Sequence, residues 1–416
     1  MNKNKGNVLA IGIMFFLFAM ISFVTGLQNP MGIIAKAQFG ATNLMSQLGN
    51  AANFIAYAFM GLPAGFLLKG KGYKFTALAA VAVGFVGVGI SYLSGVFSSF
   101  AIYLLGAFVS GFSMCMLNTV VNPLLNTLGG GGNKGNQLIQ LGGSLNSLAA
   151  TIVPVLAGYL IGEVTANTQV ADVNPALFIA MAIFALAFVI IFFSNIPEPE
   201  LEAAAAEGKV EKEGTMDSIK GAISHKNLVF GVIAIFLYVG IEVGIPNVAN
   251  LYMTSADGLG LAAGVAGTLV GAYWFLMLCG RLVGGAIGGK VSSRVMMTTV
   301  SAMGIAFLLL GMFLPAAWTV SVLDTAVPVA ILFFVLCGLC TSVMWGAIFN
   351  LAVEGLGKYT SIASGLFMVM VMGGGIVPLV QGAVADVAGY INSYWVLIAA
   401  LAYILWFALV GSKTNK

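Results

Sequence analysis

NIPEPELEAAAAEGKVEKEGTMDSIKGAISHK (195–226) is the one long polar stretch of the chain, and it holds 11 of the 31 charged residues. On either side the sequence consists of apolar runs broken by glycine, proline, asparagine or an isolated charge. Six runs precede it (8–35, 45–68, 75–94, 99–128, 137–162 and 174–194). Six follow (227–254, 261–289, 294–315, 326–353, 359–384 and 391–411). Each is near the roughly 20 residues that carry an α-helix across a bilayer. The whole chain agrees: 60% of its 416 residues are apolar and 7% charged, with a mean hydropathy of +1.03, whereas a soluble domain carries about 25% charged residues. These features define an all-α membrane protein with twelve transmembrane helices. Residues 1–194 form an N-terminal bundle, 195–226 a cytoplasmic central loop and 227–416 a C-terminal bundle.

The opening MNKNKG followed by an apolar run has the outline of a signal peptide, but no small-residue cleavage site follows it convincingly. It reads as the first span. Placing both termini in the cytoplasm puts 16 of the 17 lysines and arginines on that side, with Lys36 the exception. This count treats Arg281 as snorkelling to the interface. Residues 152–160 (IVPVLAGYL) resemble 376–384 (IVPLVQGAV). Gly61, Gly65 and Lys71 match Gly280, Gly284 and Lys290, and Asn122 and Gly129 match Asn350 and Gly357. The three offsets nearly coincide, which implies duplicated six-helix halves. Parallel repeats of this kind are the mark of major-facilitator transporters.

Polar side chains inside hydrocarbon are costly and therefore informative. Asn118, Asn122 and Asn126 in MLNTVVNPLLNTLG share one helical face by their i, i+4, i+8 spacing. Aligned amides offer donors and acceptors together, which suits a polyhydroxylated solute. Asn126, nearer the cytoplasm, reads as interhelical glue. Gln28, Asn29, Asn53, Gln140, Asn146 and Asn247 add neutral amides on other spans. Glu242 is the one acid near the middle of a span. It must be protonated, paired or cation-bound, and pairing is not expected because no basic residue lies at its depth in the sequence. Trp345, in mid-span, offers a face on which a pyranose could stack, and Trp274 does so less well.

Other patterns carry no chemistry. GGGGNKG (129–135) lacks the Ser/Thr after lysine and the preceding strand of a phosphate loop. GGAIGG (284–289) is helix-packing glycine. Cys337 and Cys340 have no further ligands to make a metal site, and the four cysteines imply no disulfide framework. The net charge of +3 is too small and dispersed for nucleic acid. His225 lies at a membrane edge and reads as incidental.

FFLFAM (15–20), LNTVVNPLLNTLG (117–129), LNSLAA (145–150), YVGIEV (238–243) and above all IFNLAVEGLGKYTSIASGLFMVMVMGGGIVPLVQGAVAD (348–386) resemble the fucose:proton symporter branch of the major facilitator superfamily. Within it they are most similar to the bacterial glucose/galactose-type sugar permeases, over nearly the whole chain. The resemblance implies two pseudo-symmetric six-helix halves, alternating access and cation-coupled import of a hexose. The two N-domain acids of the fucose permease read here as Asn29 and Asn118, while the Asn of its Asn-Pro pair survives as Asn122. A glutamine of the fifth helix has become Gly143, and the tenth-helix aromatic-proline pair appears as Trp345-Gly346.

The sequence is therefore expected to encode a secondary transporter of a monosaccharide such as glucose, galactose, mannose or fucose, in a bacterial inner membrane. Expected solute-binding residues are Asn29, Asn118, Asn122, Gln140, Asn146, Glu242, Asn247 and Trp345. Cation coupling falls to Glu242, Asn29 and Asn118, with sodium ranked ahead of a proton and uncoupled transport third. No cofactor, metal site or enzymatic activity is expected, and a monomer embedded in lipid is the expected working form. The alternatives are a drug efflux transporter, whose cavity would be more apolar, and a sugar sensor that binds without transporting.

Overall fold

A computed structural model describes residues 3–26, 38, 43–161, 169–199, 201–202, 215–255 and 258–413. Asn29, Gln28, Lys36 and the middle of the central loop lie outside them. Ten stretches of the described residues are long and apolar enough to cross a membrane. One of these, Ala51–Val96, belongs to a 54-residue helical segment, Asn43–Val96. At 1.5 Å per residue a straight helix of that length would run about 80 Å, far beyond a hydrocarbon core of about 30 Å. It breaks at Gly72, whose φ of 81° is open to glycine, into two arms, α2 (43–71) and α3 (73–96). With the more polar helix α5 (Gly132–Ile161), the long helices among the described residues number twelve, as many as the spans expected.

The others are α1 (Lys3–Gly26), α4 (Phe100–Leu128), α6 (Asn174–Phe193), α7 (Lys226–Thr254), α8 (Ala263–Ile287) and α9 (Ser293–Phe313). Three more complete the set: α10 (Val329–Val353), interrupted at 342–343, α11 (Gly357–Ala388), interrupted at 371–372, and α12 (Tyr390–Gly411). A nine-residue helix, Thr215–Ile223, precedes α7. Between α9 and α10 lies a β-hairpin that the hydropathy pattern does not announce, Thr319–Val322 paired antiparallel with Thr325–Pro328. Its two-residue turn has Leu323 and Asp324 both at positive φ, the type I′ geometry that matches strand twist.

The chain resolves into two compact units. Unit 1 comprises Met1–Leu128, Leu145–Ala222 and Leu356–Val369; unit 2 comprises Gly129–Ser144, Ile223–Gly355 and Met370–Lys416. The break at 222/223 falls within the expected central loop. Two short segments, Gly129–Ser144 and Leu356–Val369, belong to the unit built mainly from the opposite half of the sequence.

In unit 1, α2 and α3 pack on α4 and α6, and α1 packs on α4. Lipid tails supply no hydrophobic drive between helices, so close backbone approach and hydrogen bonding must hold them together. A Cβ on Gly87 would come within 2.7 Å of the Ser110 nitrogen, and one on Gly106 within 2.7 Å of the Ser91 nitrogen. This reciprocal glycine–serine contact joins α3 to α4. The repeated glycines serve the same end. A Cβ on Gly65 would meet Gly365 of α11 at 3.0 Å within unit 1, and one on Gly284 would meet Val343 of α10 at 2.5 Å within unit 2. Large apolar side chains such as Phe59, Leu105, Phe178, Phe193 and Leu379 are exposed, as surfaces facing lipid require.

Outside the spans, Glu198 caps the start of α3. Its carboxylate accepts from the backbone N–H groups of Tyr73 (2.6 Å) and Lys74 (2.8 Å), and Lys74 Nζ donates to Ser194 O at 2.8 Å. Burial pushes the Glu198 carboxyl above its ordinary range, opposed by those two N–H donors.

Candidate functional site

Glu242 sits in α7 four residues before Pro246. Proline has no N–H, so the Glu242 carbonyl loses its helical partner. The Tyr273 hydroxyl of α8 fills the vacancy, donating to Glu242 O at 3.1 Å, and it also lies 3.0 Å from the Thr341 hydroxyl of α10. The backbone of the acid is thus tied to α8, and through Tyr273 to α10, before its side chain is considered.

The side chain overturns an expectation. A basic residue does lie at this depth: Arg281 Nη2 meets Glu242 Oε1 at 3.2 Å, with the two side chains only 12% and 16% exposed. Arg281 is placed by sequence near the end of α8 that carries Lys290, which suggested snorkelling outward. Helical side chains instead lean toward their own helix N-terminus, which for α8 is the direction of the membrane centre. Arg281 also donates through Nη1 to Gly143 O at 3.1 Å and through Nε to Ser342 O at 3.3 Å. A buried ion pair repays its desolvation only when further hydrogen bonds satisfy it, and this guanidinium has them. The Ser342 carbonyl is available because α10 is interrupted at 342–343.

Tyr238, one turn before Glu242, turns its hydroxyl toward the pair, and its ring meets that of Trp345 edge-on at 6.3 Å. Unit 2 therefore brings together Glu242, Arg281, Tyr238, Tyr273, Thr341 and Trp345. Gln140 is also in unit 2, buried, with its amide protons committed: Nε2 donates to Val343 O at 2.7 Å and to Asn136 Oδ1 at 3.4 Å. Asn247 is exposed and, five residues along α7, points about 140° away from Glu242.

The remaining expected residues belong to unit 1. Asn118 donates to the Tyr57 hydroxyl at 3.0 Å and to Met114 O at 3.1 Å. Asn122, fully buried, donates to Asn118 O at 2.8 Å, and Asn126 is buried as well. Asn146 donates to Phe18 O at 2.9 Å, tying α5 to α1. Asn29 lies outside the described residues. Pro123 repeats the device seen at Pro246: it frees the Thr119 carbonyl, which accepts from the Ser364 hydroxyl at 3.1 Å.

Arg281, Tyr57, Tyr273 and Thr341 escape a reading of the sequence. An arginine near a span end has the same local signature whether it snorkels out or reaches in. Tyrosine and threonine are too common in membrane helices to stand out. The one available signal was Pro246, since a freed carbonyl predicts a donor on a neighbouring helix. Among the described residues no group of three or more His, Cys, Asp or Glu lies close enough to hold a metal ion.

The fold and this buried ion pair define a polytopic membrane protein with charge held inside its helices. Residues 12–378 match the family model described as Major Facilitator Superfamily, and the chain belongs to that family. It is 30% identical over 417 residues to the glucose/galactose transporter of Brucella abortus biovar 1 (strain 9-941), covering 99% of this chain and 96% of the relative. It is 23% identical to the L-fucose-proton symporter of Escherichia coli (strain K12), covering 99% of this chain and 96% of that protein. The crystal structure of the transporter FucP in the outward conformation superposes with a TM-score of 0.84 at 20% identity, covering 98% of this chain and all of the other.

Proposed function

We propose that this protein imports a monosaccharide, such as glucose, galactose, mannose or fucose, together with a proton, by alternating access. The sugar follows from relatives named as glucose/galactose transporters and an L-fucose-proton symporter. The observation that carries the coupling is the Glu242–Arg281 pair in the membrane interior of unit 2. A carboxylate held by one arginine can take up and release a proton with a large change in local charge. That chemistry, and the proton named in the fucose relative, support a proton over the sodium ion that the sequence favoured.

In this reading Glu242 carries the proton and Trp345 supplies a stacking face beside it. Asn118, Asn122 and Asn146 of unit 1, and separately Gln140 of unit 2, are the candidate amides for sugar hydroxyls. The protein works as a monomer in a bacterial inner membrane, with both termini in the cytoplasm.

Counterflow in proteoliposomes tests this, with a panel of labelled hexoses and with pH and sodium gradients imposed separately. A pH gradient, acid outside, should drive accumulation of at least one hexose, and a sodium gradient should not. Glu242→Gln should abolish accumulation while sparing exchange. If no monosaccharide enters under either gradient, the reading is wrong.

A further inference from the structure

A single residue joins α11 to α12. Gly389 follows Ala388 and precedes Tyr390 with φ 88° and ψ 158°, a backbone region open almost only to glycine. A Cβ added there would meet nothing within 4 Å, so the turn presents bare backbone to open space. That space is a cavity of about 380 Å³, lined by Tyr252 of α7, Asp386 of α11, Gly389, and Tyr390 and Asn392 of α12. All of these residues belong to unit 2. The volume lies at the lower end of the roughly 300–1,000 Å³ of small-molecule sites, which suits one sugar ring rather than a chain of them.

The walls carry the two kinds of surface that a pyranose needs. The rings of Tyr252 and Tyr390 lie 6.0 Å apart and are tilted by 46°, and aromatic faces pack on the C–H face of a sugar. Tyr390 is fixed by its hydroxyl, which lies 3.0 Å from that of Ser255. Asn392 Nδ2 donates to Ala388 O at 2.9 Å, which leaves its Oδ1 as an acceptor. Asp386 adds a carboxylate, an acceptor through both oxygens, and among the described residues no hydrogen bond or ion pair occupies it. Acceptors without a facing donor call for a ligand rich in donors, as sugar hydroxyls are. A metal ion would find a single charged ligand here, since among the described residues no three His, Cys, Asp or Glu lie together.

We infer that this corner is a second sugar-binding site, apart from the one around Glu242. Ten residues of α7, about 15 Å of helix, separate Tyr252 from Glu242, so the two places hold different molecules. α7 leaves the central loop at Lys226 and carries Tyr252 near its other end. The cavity therefore lies at the membrane face opposite that loop, which is the outer face when the loop is cytoplasmic. The choice of a sugar over another hydroxylated solute rests on the sugar reading above. Asp386 and Asn392 are exposed, so water competes for them, and the site holds the sugar weakly, as a place of first contact.

The test is protection of a cysteine placed in the cavity wall. Ala388 lines it and is exposed, and its side chain is close to cysteine in size. Ala388→Cys in the full chain, with the half-buried Cys279 replaced by serine, is labelled on intact cells with a membrane-impermeant maleimide. Each hexose of the counterflow panel is added in turn, and calcium chloride and choline chloride separately. At least one hexose should slow the labelling saturably, by about tenfold at ten times its dissociation constant, and neither salt should. Asp386→Ala, a change at an exposed position, should lose that protection and keep counterflow. Protection that survives Asp386→Ala would show that the sugar acts from elsewhere, and protection by calcium or choline in place of a hexose would assign the corner to a cation. Either result overturns the inference, as does the absence of protection by every hexose, which leaves the import reading standing if counterflow is seen. Protection without any counterflow would overturn the import reading and uphold the site.

Discussion

The worth of individual side chains here depends on what they leave behind when removed. Replacing Arg281 alone abandons an ionised Glu242 with 16% exposure, and breaking a buried pair from one side costs about 3–5 kcal/mol. Arg281→Ala should therefore yield a poorly stable protein by thermal unfolding in detergent, and adding Glu242→Gln should restore most of the loss. Equal stability of the single and double variants would show that the pair is not desolvated as described. Glu198 behaves differently, because burial raises its carboxyl above the unfolded value. The folded state then holds that proton more tightly than the unfolded chain, so this residue's contribution to stability falls as pH rises from the ordinary carboxylate range through its raised value. Glu198→Gln should flatten that part of the pH–stability profile. Glu198→Ala should lose the cap on α3 as well, a cost of about 1 kcal/mol.

Among the helices, one device recurs. A proline frees the carbonyl four residues earlier and a hydroxyl from a neighbouring helix occupies it: Ser364 on Thr119 O for Pro123, and Tyr273 on Glu242 O for Pro246. In hydrocarbon an unpaired carbonyl finds no water, so the hydroxyl is needed only while the proline is there. Ser364→Ala and Tyr273→Phe should each destabilise by about 1 kcal/mol. In backgrounds carrying Pro123→Ala or Pro246→Ala, which restore the helical N–H, those costs should largely vanish. A thermal double-mutant cycle reads the difference, and additive costs would show that the hydroxyls act through other partners. The helices themselves were legible: α4 runs Phe100–Leu128 where hydropathy marks 99–128, and α7 runs Lys226–Thr254 where it marks 227–254. Length and apolarity decide those bounds almost alone. The hairpin at 319–328 and the inward reach of Arg281 were not legible. The first depends on a two-residue turn with no Asn-Gly or Asp-Gly signature. The second depends on which way one long side chain leans.

At the scale of the whole molecule, the sequence halves and the compact units nearly coincide, apart from Gly129–Ser144 and Leu356–Val369. The second of these is seated in unit 1 by Gly365, where an added Cβ would fall 2.6 Å from Gly61 O. Gly365→Val should expel it, read as faster proteolysis near Lys358 in proteoliposomes and as lost exchange activity. Gly382→Val, at a position with open space around it, is the control. In the proposed proton-coupled cycle, the pairing of Arg281 with Glu242 also sets how the protein answers to voltage. With its carboxylate ionised the pair is electrically neutral, and with a proton aboard it carries one positive charge. In the proposed cycle an inside-negative potential then pulls on the loaded protein and is blind to the empty one returning. Each 100 mV lends the loaded step about 2.3 kcal/mol, enough for roughly fifty-fold accumulation. Voltage jumps on sugar-free membranes at alkaline pH should accordingly move no charge, and transient currents should appear only when sugar and protons are supplied together.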